Sequence, residues 1–427
     1  MQDAQRFHKD FALIFFVLFA IYVLRDVPGA LAPPLFNEDG PNMLDFYTAS
    51  HAPADIFRFY GGYVSVGPNL LGYLFGFLPI AAAVYALYWV PIAIAALTFA
   101  VMCHPSFALP GMTRPERMFI ALLLGLFPAA NTALMTNTTF ALWNLAILLF
   151  FLGLLWTPRT GVGAVAGAVF CVIAATSHPV SVILFPVLLW RVWQAQTALE
   201  RWAFLPVTAV LPVYLLIGVA PDGSGDTPAI IATLWEAIRL FLERGIFETL
   251  FSTRVRSMFL HRDLAVGLWI ISLGLLGVVI WQARGRVRLL VVVLLTLGFG
   301  NSLFCAVARE MPLENTWGHR YGYLTGVLFL LAAALSLLPA WRRWSPGLRW
   351  LRPAAITALT GLILLSLALK LPYYRTNPVK RMEVAQLLDT LQDATSPYCL
   401  RVDRGEWSFA VRDSENAECV TLPAVTR

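Results

Sequence analysis

The chain is 427 residues long, 59% apolar and only 13% charged, with a formal net charge of +6 and a mean hydropathy of +0.70. A soluble domain carries about 25% charged residues, so a water-soluble fold of this length has too little polar surface to cover it, and disorder, a coiled coil and a disulfide-stapled scaffold are excluded by the same figures. The basic residues are scattered among apolar runs rather than gathered on a polar domain. That argues against nucleic acid as a partner and for a bilayer, whose cytoplasmic side retains Lys and Arg.

Apolar runs of spanning length recur along the chain, about eleven in all, which predicts an all-α polytopic membrane protein. In chain order they are Phe11 to Leu24, Ala82 to Met102, Phe119 to Ala130, Phe140 to Trp156, Gly161 to Ala175, Val180 to Trp190, Phe204 to Val219, Leu264 to Trp281, Leu289 to Ala308, Tyr321 to Leu338 and Pro353 to Leu371. The first run resembles a signal peptide, but the charged pair Arg25 and Asp26 separates its core from the small residues beyond, and it is read as an uncleaved anchor. Gly61 to Ile80 is broken by Gly67, Pro68 and Pro79 and suits a half-buried juxtamembrane hairpin or helix better than a span. In Thr227 to Phe251, Glu236, Arg239, Glu243 and Arg244 recur at helical spacing, so this stretch reads as an interfacial helix on the outer surface, capped by Asp226 and Thr227.

With the N-terminus cytoplasmic, the inside loops hold Arg6, Lys9, Arg114, Arg117, Arg159, Arg191, Arg201, Arg284, Arg286, Arg288, Arg342, Arg343, Arg349 and Arg352, as the positive-inside rule requires. An odd number of spans leaves the C-terminus outside a bacterial-type plasma membrane. The expected organisation is a transmembrane domain over 1–371, with outside loops 25–81 and 220–263, and a small α+β extracytoplasmic tail over 372–427. The tail offers an amphipathic stretch, Val379 to Leu391, and strand-like segments at Tyr398 to Val402 and Trp407 to Arg412. Cys399 and Cys419 both fall in it; whether they bond is open at this point. Cys103, Cys171 and Cys305 lie at or within spans, where Cys acts as a small hydrophobe.

The spans are almost free of ionisable residues, whereas transporters line their paths with them. Chemistry is therefore expected at the outer surface. The densest acidic stretch there is Glu38-Asp39-Gly40 followed by Asp45. Read alone it is a hydrated turn; its position just after the first span raises a functional reading. A second polar group is Arg309-Glu310, Glu314-Asn315 and Gly318-His319-Arg320-Tyr321, and a third is Arg254, Arg256, His261, Arg262 and Asp263. Anchoring or headgroup binding accounts for either, and a guanidinium fork can also clamp phosphate. His178, before Pro179, is read as a helix-end hydrogen bonder.

The stretches Glu38-Asp39-Gly40, Phe57-Arg58-Phe59-Tyr60-Gly61-Gly62-Tyr63, Asn137-Thr138-Thr139 before Trp143, and His319-Arg320-Tyr321, set in a chain of many spans, resemble the GT-C superfamily of polyprenyl-phosphate-dependent glycosyltransferases. The resemblance implies transfer of a sugar from a polyprenyl-phosphate donor at the outer leaflet to a glycan, lipid or protein acceptor, with inversion. A loop carboxylate would then be the base, Asp39 first and Glu38 second. Asp45 would hold sugar hydroxyls or a divalent ion; no other cofactor is implied. Arg320, His319 and Arg256 would stabilise the leaving lipid phosphate, and Tyr60 and Tyr63, with Trp317, would receive substrate near the interface. Three rivals stand beside this reading, one of them a structural subunit of an envelope-assembly complex that would use the tail as its interaction surface. A diphosphate-linked glycan polymerase or ligase would rely on Arg254, Arg256 and His261, and a lipid or solute carrier would need a polar path across the spans.

Overall fold

The computed structural model describes residues 2–31, 52–60, 63–126, 138, 141–218, 230–261, 264–308, 319–343, 399–402 and 419–422. Over their described residues, ten of the eleven apolar runs coincide with helix, because a chain in hydrocarbon must satisfy every backbone N–H and C=O internally. The helices are α1 (Gln2–Arg25), α2 (Val27–Leu31), α3 (Val66–Phe75), α4 (Ile80–Ala100), α5 (Arg114–Leu126), α6 (Ala141–Leu155) and α7 (Gly161–Ala175). They continue as α8 (Phe185–Trp193), α9 (Ala198–Ile217), α10 (Ile230–Arg239), α11 (Glu248–His261), α12 (Ala265–Gln282), α13 (Gly285–Ala308) and α14 (His319–Arg343). The eleventh run, the loop 344–352, the stretch 379–391 and the segment 407–412 lie outside the described residues.

Among the described residues, six helices are long and apolar enough to cross a membrane. They are α1, α4, α9, α12, α13 and α14; α6, α7 and the segment Pro179–Trp193 are apolar but shorter. Helix α6 is apolar all round and buried on nearly every face, which places it at the centre, against α3, α4, α7, α8 and α14. Outward-facing apolar side chains cover the bundle instead: Val162, Val165 and Val169 on α7, Leu216 on α9, Ile270 on α12. Trp193, Trp202 and Trp281 are also exposed, at helix ends where tryptophan marks the boundary between hydrocarbon and water.

Polar contacts sort the loops into two ends. At the first, Arg114 pairs with Asp10, His8 meets His104 at 5.4 Å, Arg117 donates to the Phe107 carbonyl at 2.9 Å, and Arg159 donates to the Pro105 carbonyl at 2.6 Å. Arg191 joins them through the Trp156 carbonyl and the Glu200 carboxylate. Helices α7 and α9 both start there, with Thr160 and Thr197 accepting from the backbone N–H of Gly163 and Glu200. These are the loops that the charge pattern groups together as inside.

The second end holds the interrupted stretch after residue 60. Strands β1 (Phe59–Tyr60) and β2 (Tyr63–Val64) form a small antiparallel hairpin, and α3 follows as a ten-residue helix rather than a span, as the glycines and prolines predict. Two residues, Ser65 and Gly67, fasten it to Ser177: the Ser65 hydroxyl donates to the Ser177 carbonyl and the Gly67 N–H to the Ser177 hydroxyl, both at 2.9 Å. Tyr214 donates to the Val64 carbonyl at 2.8 Å.

The charged stripe of the second large loop corrects an expectation. Its second half is buried: between α10 and α11 the chain makes a π-helical turn, Leu240–Phe247, in which every residue is buried, packed on α12, α13 and α14, while Glu236 and Arg239 on α10 stay part-exposed. Its charges tolerate burial because opposite signs at helical spacing pair with one another. In the tail, the strand expected from residue 398 is present as β3 (Cys399–Val402), and its partner is β4 (Cys419–Leu422), parallel, with Cys399 opposite Cys419 in register.

Candidate functional site at the second end

Buried polar side chains concentrate at this second end, and the first turns of α14 are where they meet. His319 and Arg320 begin the helix. The next three residues each reach a different group. Tyr321 lies 6.4 Å from Trp143, ring to ring. Gly322 lets α14 press against the backbone of Arg244, where an added Cβ would sit 2.8 Å from the Arg244 Cβ and 3.1 Å from its carbonyl carbon. Tyr323 donates to the Asn144 Oδ1 at 3.1 Å. One helical turn thus ties α6 to the π turn.

The aromatic group is built on the turn that follows α7. His178 accepts the Val180 N–H on Nδ1 at 3.1 Å and so caps the 3-10 turn Pro179–Leu184, the helix-end role that its place before proline predicts. Trp143 packs on its ring at 4.4 Å and Tyr63 at 5.5 Å. The ordered contact fixes which nitrogen is the acceptor and leaves Nε2 as the protonated one in the neutral ring.

The charged group is an organised set of ion pairs. Glu243, fully buried, accepts from Arg239 Nε at 3.2 Å, Arg256 Nη2 at 3.1 Å and Trp269 Nε1 at 3.3 Å. Arg244 lies 4.0 Å from Glu248; burial pulls its guanidinium below the ordinary arginine value, with Glu248 opposing. Behind α14, Asn301 of α13 donates to the Tyr321 carbonyl at 2.9 Å and the Thr325 hydroxyl at 3.0 Å, holding the turn at its start.

Of the residues singled out in the sequence, Glu38, Asp39 and Asp45 lie outside the described residues. His319 and Arg320 are at this end, as the first residues of α14. Tyr63 is here, half-buried against His178, and Tyr60 is its strand partner. Arg256 is buried and bound to Glu243. Sequence reasoning passes over Asn144 and Asn301, and names Trp143 and Glu243 without giving either a place at this site. The asparagines carry a usable signal, since an amide inside an apolar run needs a buried partner. Among the described residues no three His, Cys, Asp or Glu side chains converge on a metal-sized site.

Among the described residues the cations of this end are held by carboxylates, Arg239 and Arg256 by Glu243 and Arg244 by Glu248, beside the aromatic faces of Trp143, His178 and Tyr63. No protein-family model, curated protein or solved structure matches the chain.

Proposed function

We propose that the chain is a membrane glycosyltransferase of the GT-C kind, moving a sugar from a polyprenyl-phosphate donor to a glycan, lipid or protein acceptor at the outer face, with inversion at the anomeric carbon. The observation that supports it best is the convergence on the first turns of α14, the helix that His319 and Arg320 begin, where Gly322 packs on buried Arg244 and Tyr321 meets the Trp143–His178 pair. The acceptor hydroxyl gives its proton to Asp39, its oxygen bonds the anomeric carbon, and the sugar–phosphate C–O bond breaks. Glu38 orients, and Asp45 holds sugar hydroxyls or a divalent ion. Arg320 and His319 meet the charge that grows on the leaving lipid phosphate, a task suited to preorganised cations. Arg256, held by Glu243, keeps the surrounding charges in place. Tyr60 and Tyr63 border the substrate.

Among the described residues, the hydroxyls inside the spans do not favour the carrier reading. The buried hydroxyls of Thr98, Thr208 and Ser336 each donate to a carbonyl four residues back in their own helix, a closed arrangement that offers a solute nothing. The test is turnover of a panel of polyprenyl-phosphate sugars by purified protein in lipid vesicles, with lipid-phosphate release followed by mass spectrometry. Release by wild type that falls at least about 10²-fold in Asp39→Asn is expected; equal release by both removes Asp39 as base.

A further inference from the structure

We propose that Arg25 is an anion receptor at the second end of the bundle, taking the phosphate group of a membrane lipid or a free phosphate. All three guanidinium nitrogens of Arg25 are buried, and none makes a hydrogen bond or ion pair among the described residues. Its neighbours are aromatic. The guanidinium carbon lies 5.3 Å from the centre of the Tyr22 ring, and Tyr323 is within its electrostatic reach.

The hydroxyl protons of those tyrosines are committed elsewhere, Tyr22 to the Gly125 carbonyl at 2.9 Å and Tyr323 to Asn144 at 3.1 Å. Asp26, next in sequence, is engaged by the Gly29 N–H at 3.2 Å and the Tyr88 hydroxyl at 3.3 Å. The guanidinium therefore lies where α1 and α5 end and α6 and α14 begin.

Other buried guanidinium groups are treated differently. Arg191 has Glu200, Arg244 has Glu248 and Arg256 has Glu243. A buried cation without its own carboxylate is costly to hold, and cation–π contact with Tyr22 offsets only part of that. A planar fork of donors over the Tyr22 ring matches the geometry of a phosphate. An ionisable side chain in the apolar part of a membrane protein is kept for a partner, and here the missing partner is an anion.

The proposal rests on the transferase reading only in the choice of one probe. Purified protein in phosphate-free non-ionic detergent is titrated with inorganic phosphate, phosphatidic acid and a long-chain isoprenyl phosphate, reading affinity and the shift in Tm. Wild type is expected to bind at least one probe and to gain Tm. Arg25→Gln is expected to bind at least tenfold more weakly, with an unliganded Tm equal to or above wild type, because it loses an unmatched charge rather than a bond. Action of both lipids without inorganic phosphate assigns the site to a headgroup, and equal action of inorganic phosphate assigns it to the free anion. Arg25→Lys keeps the charge but not the fork, and is expected to fold and bind several-fold more weakly. Undiminished binding by either variant, or no probe acting on wild type, overturns the proposal. The titrations contain no sugar donor, so they succeed or fail independently of transfer.

Discussion

Glu243 holds together a disproportionate part of the second end, since one buried carboxylate receives Arg239, Arg256 and Trp269. Removing one member of a buried ion pair leaves the other uncompensated, so Glu243→Ala is expected to cost about 3–5 kcal/mol, measured by thermal unfolding in detergent. Replacing Glu243 and Arg256 together by Met should recover most of that loss; a double variant as unstable as the single one would contradict the pairing. At the first end, His104 accepts the Ser106 N–H on Nδ1 at 3.2 Å. Burial, then His8 and Arg159, hold its pKa below the ordinary histidine value. The neutral ring is thus favoured by folding, and its contribution is present above the unfolded pKa near 6.5 and lost as pH falls through the lowered folded value. Stability measured from pH 7 downward should decline, and His104→Gln should flatten the decline; an unchanged slope would remove His104 from the titration.

Helices show where close approach matters. On α14, Gly322 has no room for a side chain because the Arg244 backbone lies against it, so Gly322→Ala is expected to cost about 1–3 kcal/mol by overpacking. On α12, an added Cβ at Gly274 would meet nothing within 4 Å, and Gly274→Ala should stay within about 0.5 kcal/mol of wild type. Paired unfolding measurements check the contrast, which equal effects would refute. The same scale explains what could be read beforehand. Helix α7 runs from Gly161 to Ala175 as expected, since its cap, Thr160, and its apolar residues are local. The stripe of α10 and the π turn was legible as charge but not as buried charge. Its partners Arg256 and Trp269 lie 13 and 26 residues beyond Glu243, and no helical period reports them. Arg25 is likewise visible as a charge after the first span, while its lack of a partner among the described residues is a property of the assembled helix ends.

Across the whole molecule, the loops joined by Asp10–Arg114, His8–His104 and Arg191–Glu200 lie at one end, and Tyr63, His178, Trp143 and Tyr321 at the other. The alternation of helices therefore carried the grouping of loops in the sequence, since each crossing swaps ends. The chemistry of the second end was only half legible, because its acidic and aromatic residues are far apart in sequence and their convergence depends on α14. If Arg320 meets the leaving phosphate, Arg320→Ala should slow transfer at least about 10²-fold, whereas Arg286→Ala, exposed near the start of α13, should leave the rate unchanged; equal rates for the two would remove Arg320 from that role. The most direct test of the whole account is lipid-phosphate release from a polyprenyl-phosphate sugar by protein reconstituted in one known orientation, with donor confined to one leaflet at a time. The account predicts release when donor occupies the leaflet at the end carrying His178 and Tyr321, dependent on acceptor and on Asp39. Release from the opposite leaflet alone, or none from any donor by folded protein, would contradict it.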